Sequence, residues 1–130
     1  MIRNAILSAA ILSGPFLLAA AAAADSSSSA DPVDHGRQVF ALNCAPCHGR
    51  GPGDDGDEHL PGTAALQRKY QGAVPAALEL RADLAPEVLE YFIRNGTGAM
   101  PPFRKSELTD ADIAALHAYI QATAAQGDQR

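Results

Sequence analysis

The chain has 130 residues, of which 19% are charged, and its acidic side chains outnumber its Lys and Arg by 15 to 10, giving a formal net charge of −5. This acidic balance argues against binding to nucleic acids or anionic lipids, which reward clustered Lys and Arg. The length suits one small domain, and two cysteines are too few for a disulfide-rich scaffold.

The N-terminus has the order of a secretory signal peptide. Arg3 precedes an apolar run from Ala5, and a string of alanines leads into Asp25. A basic head, an apolar middle and a small-residue exit predict export to the periplasm and removal of residues 1–24. An uncleaved anchor is the alternative, because the run is long enough to span a bilayer. Cleavage removes the one charge of Arg3 and leaves a net charge of −6.

The mature chain divides into three parts. Residues 25–32 (DSSSSADP) are polar and low in complexity, which predicts a flexible leader. One domain is expected over residues 33–122, followed by a C-terminal tail over residues 123–130. No segment has a convincing strand pattern.

The first predicted helix, from Val33 to Asn43, places Gly36, Val39 and Phe40 on one face. Directly after it comes "CAPCH", with the only two cysteines of the chain, Cys44 and Cys47, followed by His48. C-x-x-C-H is the attachment signal for c-type haem, with both thiols forming thioethers and the imidazole binding iron.

Three other interpretations of the cysteines are weaker. A disulfide would close a very small loop and restrict the unfolded chain little. A thioredoxin-like redox pair needs strands joined by helices. A zinc site needs about four N or S ligands, and His35, His59 and His117 are too scattered to complete one.

Four further helices are predicted along the chain. "GTAALQRKY" and "PAALELRADL" have the composition of short helices, and Pro86 suits the first turn of a helix that Gly96 ends. Thr109 is a good N-cap for the last helix, with Asp110 and Asp112 in its first turn. His117, on this helix, is expected at the surface.

The segments "NCAPCHG", "GAMPPF" and "LTDADIAALHAYI" together resemble the class I c-type cytochromes over roughly Val33 to Ala122. The resemblance implies an all-α cytochrome c fold, with crossed N- and C-terminal helices and shorter helices and loops around one covalent haem c. It also implies that Met100 is the second axial ligand and that the backbone of Pro61 orients His48. The expected function is electron transfer without catalysis of its own.

The sequence around "RNGTGAMPPFRKSELTDAD" is similar to that of cytochrome subunits of p-cresol methylhydroxylase-like flavocytochromes. This similarity implies an exported flavin dehydrogenase of phenolic compounds as electron donor, and another cytochrome or an oxidase as acceptor. A free-standing periplasmic shuttle is the alternative.

Two functions of other classes remain open from the residues alone. A haem sensor or small haem enzyme would require Met100 to be displaceable. A thiol–disulfide oxidoreductase would leave both cysteines free of porphyrin. Arg81, Tyr70 and Lys69 are candidates for contact with the haem propionates on chemical grounds.

Overall fold

The computed structural model describes residues 31–127 of the chain. The predicted signal peptide, most of the leader and the last three residues of the tail therefore lie outside the described residues. Within residues 31–127 the structure is helical, has no strand, and contains no helix long and apolar enough to cross a membrane. The helices are α1 (Pro32–Asn43), α2 (Ala45–His48), α3 (Pro61–Tyr70), α4 (Pro86–Asn95) and α5 (Asp110–Gly127), with a single 3₁₀ turn at Leu78–Leu80.

Side-chain caps start the two longest helices. Asp31 accepts a hydrogen bond from the Val33 amide at 3.1 Å, and Pro32 occupies the first helical position. At α5, the Thr109 amide donates to Asp112 Oδ2 at 2.8 Å and the Asp112 amide donates to Thr109 Oγ1 at 3.1 Å. This reciprocal capping box confirms Thr109 as the N-cap.

Helices α1 and α5 cross, as the sequence predicts, and their contact forms the core. Gly36 packs so closely that a Cβ atom there would overlap the carbonyl group of Ala115. The rings of Phe40 and Tyr119 pack against each other in a tilted arrangement, with their centroids 5.4 Å apart. Leu116, with Ile120, is among the most completely buried side chains. The crossing therefore depends on a residue without a side chain on α1.

The middle of the chain agrees with the sequence in part. Helices α3 and α4 are confirmed, and Gly96 follows α4 with a positive φ of 67°. The helix expected over "PAALELRADL" is wrong, because only Leu78–Leu80 forms a 3₁₀ turn. Instead, the Arg81 guanidinium donates two hydrogen bonds to the Asp83 carboxylate, from Nε to Oδ1 at 2.6 Å and from Nη2 to Oδ2 at 2.8 Å. Residues two apart do not face each other on a helix, so this pairing needs an irregular backbone.

Helix α5 departs from expectation in two details. His117 is half-buried rather than at the surface, and its Nε2 lies 3.0 Å from the carbonyl oxygen of Leu84. The helix also continues to Gly127, beyond residue 122, where the domain was expected to end.

Candidate functional site

The two cysteines and the histidine lie on one turn of helix directly after α1. The Cys44 amide still donates to the Phe40 carbonyl oxygen at 2.9 Å, so α1 leads into α2 without a loop. The amides of Cys47 and His48 both donate to the Cys44 carbonyl oxygen, at 3.1 and 2.8 Å. Short-range backbone hydrogen bonds alone therefore bring the three side chains of the motif together.

The two thiols have different surroundings. Cys44 is half-buried and packs against the core, whereas Cys47 is exposed. Burial, and secondly the neighbouring Cys47, raises the pKa of the Cys44 thiol to about 11. A thiol–disulfide oxidoreductase needs a thiol with a lowered pKa, because the thiolate is the nucleophile. The environment of Cys44 is the opposite of what that function requires.

The imidazole of His48 is held in place from one side. Its Nδ1 atom is buried and has no hydrogen-bond partner within residues 31–127. Burial lowers the pKa of His48, which favours the neutral ring. A neutral imidazole is the form that binds a metal ion, so His48 is suited to be a ligand.

The start of α3 forms the wall beside His48. A Cβ atom on Gly62 would lie 2.6 Å from His48 Cε1 and 2.8 Å from both His48 Nδ1 and the Cys47 carbonyl oxygen. The neighbouring Thr63 is buried and donates from Oγ1 to the Gly49 carbonyl oxygen at 2.9 Å. Close backbone approach and one buried hydrogen bond thus fix α3 against the cysteine motif.

Pro61 opens α3 immediately before Gly62, so the segment predicted to orient His48 does lie beside the imidazole. No hydrogen bond joins Pro61 to Nδ1 among the described residues. The role of the Pro61 carbonyl stays a prediction. Gly62 and Thr63 are contacts that sequence reasoning missed, although the glycine directly after Pro61 was a visible signal of close approach.

Met100 lies on the loop that joins α4 to α5. Its backbone pairs with Thr97 through two hydrogen bonds, from the Thr97 amide to the Met100 carbonyl oxygen at 3.0 Å and from the Met100 amide to the Thr97 carbonyl oxygen at 2.9 Å. The side chain is half-buried and packs against the same hydrophobic core as Cys44. The loop therefore directs Met100 toward the core rather than into solvent.

The candidates for propionate contact form one cluster. The Arg81 guanidinium carbon lies 4.9 Å from the ring centroid of Tyr70, and Lys69 Nζ lies 5.2 Å from the same centroid. Arg81 is buried, and its hydrogen bonds to Asp83 raise the pKa of Arg81 and lower that of Asp83. The charge of Arg81 is already matched within the chain, while Lys69 remains exposed.

The donor set fits a covalently attached haem better than a bare metal ion. Within residues 31–127, no group of three or more His, Cys, Asp or Glu side chains is arranged to hold a metal. The chain offers instead two free thiols on one turn, a neutral imidazole beside them with its Nδ1 buried, and a methionine packed on the same core. Thiols, an imidazole and a thioether are the kinds of group that attach and bind a c-type haem.

Comparison with known proteins agrees with this chemistry. The family model described as cytochrome c oxidase, cbb3-type, subunit III matches residues 31–120. Cytochrome c6 of Cyanidioschyzon merolae is 32% identical over 112 residues, which cover 86% of this chain and 93% of that protein. Cytochrome c6 of a Picosynechococcus species is 38% identical over 85 residues, covering 65% and 68% of the two chains.

A solved structure is similar as well. Cytochrome c6 from the diatom Phaeodactylum tricornutum shares 29% identity, covers 73% of this chain and is itself covered to 97%, with a TM-score of 0.45. The family model and the Cyanidioschyzon relative span most of the chain, including the cysteine motif and Met100. The chain therefore belongs to the class I c-type cytochromes, all-α electron carriers rather than enzymes, which hold one covalently bound haem c.

Proposed function

We propose that this protein is an exported, periplasmic carrier of single electrons in which His48 and Met100 are the two axial ligands of the haem iron. The observation that carries the proposal is the pairing of a neutral imidazole, fixed against α3, with a core-facing methionine. Met100 is the only methionine besides Met1. A lone methionine between glycines and two prolines is poorly explained as packing alone.

The residues around the site support outer-sphere electron transfer. The haem, when bound, supplies a one-electron couple between Fe(III) and Fe(II), and a thioether ligand favours the reduced state. Cys44 and Cys47 would tether the ring, and with both His48 and Met100 bound to the iron no place would be left for a substrate. The close packing of α1 against α5 supports a protein part that changes little between oxidation states.

An uncharged surface borders both ligand segments. Pro46 and Cys47 are exposed on the cysteine turn, and Ala99, Pro101 and Pro102 are exposed on the methionine loop. Small, weak interfaces are typical of redox encounters. This surface supports transient docking of donor and acceptor near the haem edge.

For the donor, we propose an exported dehydrogenase, with a flavoprotein that oxidises phenolic compounds as the specific candidate. Its support is the similarity of the segment around Met100 to cytochrome subunits of p-cresol methylhydroxylase-like enzymes. Copurification of the tagged mature protein from its native host tests this. A stoichiometric large flavoprotein is expected. Recovery of the cytochrome alone would refute the subunit and leave the free shuttle.

Spectroscopy of the mature holoprotein tests the axial ligands. The oxidised wild type should show the weak red-region band of ferric haem bound by methionine sulfur, and the reduced form should not bind carbon monoxide. Met100→Ala should lose the band and bind carbon monoxide, whereas Ala99→Ser, an exposed neighbour, should behave as wild type. Ready binding of carbon monoxide by the wild type would favour a sensor or enzyme instead.

A further inference from the structure

The loop that carries Met100 has few means of its own to hold a position. Residues 96–109 contain no helix or strand; their internal backbone hydrogen bonds are the pairing of Thr97 with Met100 and a turn in which the amides of Glu107 and Leu108 donate to the Arg104 carbonyl oxygen. Pro101 and Pro102 follow Met100 directly and have no amide hydrogen to donate. The first backbone amide after Met100 that can anchor the loop is therefore that of Phe103.

The backbone of Phe103 is tied twice to the last turn of α4. Its amide donates to the Ile93 carbonyl oxygen at 2.7 Å. Its carbonyl oxygen accepts from Arg94 Nη1 at 3.2 Å. Both anchors come from neighbouring residues of one rigid helix, so the position of Phe103 is set by α4.

Arg94 also reaches the end of the loop and the start of α5. Nη1 donates to the Leu108 carbonyl oxygen at 2.7 Å, and Nη2 donates to Asp110 Oδ1 at 2.7 Å. Lys105 Nζ approaches the other oxygen, Oδ2 of Asp110, at 2.7 Å. One guanidinium thus connects α4, both ends of the segment after Met100, and α5.

The burial of Arg94 makes these hydrogen bonds strong and its replacement difficult. Its side chain is only 16% exposed, and its Nε atom is buried with no hydrogen-bond partner within residues 31–127. Hydrogen bonds from a charged donor are stronger than neutral ones, and fewer waters compete at a buried site. Arg94 therefore holds the loop through its two terminal nitrogens and not through Nε.

We propose that Arg94 is a positioning residue that keeps Met100 in place to bind the iron, by fixing the Phe103 and Leu108 carbonyl groups to α4. The two prolines transmit this constraint, because each fixes its own φ angle and stiffens the chain between Met100 and Phe103. Loss of the guanidinium frees the loop without removing the ligand. The inference rests on axial ligation by Met100, as proposed above.

Displacement of Met100 from the ferric holoprotein by added imidazole measures this role. In Arg94→Met, the imidazole concentration that removes the red-region band should fall about tenfold or more, since one charge-assisted hydrogen bond corresponds to at least that factor. Arg94→Lys keeps the charge but lacks the planar fork, so its shift should be in the same direction and smaller.

Two control variants distinguish the positioning of Met100 from a change in charge and from a loss of overall stability. Arg104→Met removes a positive charge from the same loop, but the Arg104 guanidinium is exposed and pairs with Glu107, so imidazole affinity should stay at the wild-type value. Ile120→Val trims a fully buried side chain on α5 and leaves every hydrogen bond of Arg94 in place, so it should also leave the imidazole affinity unchanged. An unchanged affinity in Arg94→Met, or an equal shift in Ile120→Val, would overturn the proposal.

Hydrogen exchange on the wild type provides a test that needs no variant. The Phe103 amide should exchange slowly because it is bonded to α4, whereas the exposed Ala99 amide should exchange quickly. Equal, fast exchange at both positions would show that Phe103 is not anchored to α4 and would refute the positioning role of Arg94, which depends on that anchoring. Absence of the methionine band from the wild type would instead refute Met100 ligation itself.

Discussion

At the scale of single residues, the site depends on side chains that are small or absent as much as on those that bind. His48 can lie against α3 only because residue 62 is glycine, and the buried hydroxyl of Thr63 joins that helix to Gly49. The cysteine motif itself is local in sequence, so Cys44, Cys47 and His48 could be recognised from their spacing alone. The contacts that hold it come from residues more than a dozen positions away, which no spacing rule reveals.

Substitution Gly62→Ala should therefore destabilise the site. The new methyl group would lie within 2.6 Å of His48 Cε1, and overpacking of this kind is worth about 1–3 kcal/mol in the free energy of unfolding. Guanidinium unfolding of the holoprotein measures the loss. Ala65→Ser, an exposed change on the same helix, should be neutral. Wild-type stability in Gly62→Ala would show that α3 does not press on His48.

Thr63→Val should remove the buried hydrogen bond to the Gly49 carbonyl oxygen while keeping the shape of the side chain. We expect a loss of about 1–3 kcal/mol in the free energy of unfolding, because the acceptor is left without its partner. Thr63→Ser keeps the hydroxyl and is the matched control. If both variants unfold at the same denaturant concentration, the hydrogen bond contributes nothing.

At the scale of elements, local pattern predicted α1, α3, α4 and α5, because each has a capping or terminating residue and an apolar face. The local pattern gave a wrong prediction at residues 75–84, where the composition favours a helix but the tertiary contacts do not. There Arg81 pairs with Asp83, and the Tyr119 hydroxyl donates to Glu79 at 2.9 Å. The contact from Tyr119 is long-range and invisible to a sequence window, whereas the Arg81–Asp83 pair is local but incompatible with a regular helix.

The start of α5 provides a prediction about pH. Hydrogen bonds from the Thr109 hydroxyl and amide, and then from His35 at 2.6 Å, hold the pKa of Asp112 below its usual value. A carboxyl group with a lowered folded-state pKa stabilises the fold above its unfolded pKa, about 3.9, and loses this contribution as the pH falls through the folded value.

The neutral variant Asp112→Asn should accordingly be less stable than the wild type at pH 7 by about 1 kcal/mol, the usual value of a helix cap. The gap should close in strong acid, where Asp112 is protonated too. Urea unfolding of both proteins across this pH range measures it. A gap that stays constant with pH would mean that the charge of Asp112 is not what stabilises α5.

At the scale of the whole molecule, the fold and the net charge have different roles. The family, the haem and the crossed helices could all be predicted from sequence, since the motifs are short and the packing glycine is visible in α1. The anchoring of the methionine loop by Arg94 could not, because it joins side chain to backbone across separate segments. Without the predicted signal peptide the chain would carry a net charge of −6, and we expect this acidic surface to govern encounters with other charged molecules.

Small oxidants of opposite charge test this surface. Oxidation of the reduced protein by anionic ferricyanide should accelerate as ionic strength rises, because salt screens the repulsion. Oxidation by a cationic cobalt(III) phenanthroline complex should slow under the same conditions. Stopped-flow rates over a salt series give both slopes. Reversed slopes would mean that a locally basic haem edge outweighs the net charge, and rates that do not change with salt would mean that the net charge does not govern these encounters.

The most direct measurement of the central claim is the mass of the denatured exported protein, produced in cells able to attach haem. We predict one polypeptide lacking residues 1–24 and heavier by a single haem that survives denaturation and acidified solvent, with the added mass absent when Cys44 and Cys47 are both changed to Ser. A bare polypeptide mass, with any pigment passing into the solvent, would contradict the account.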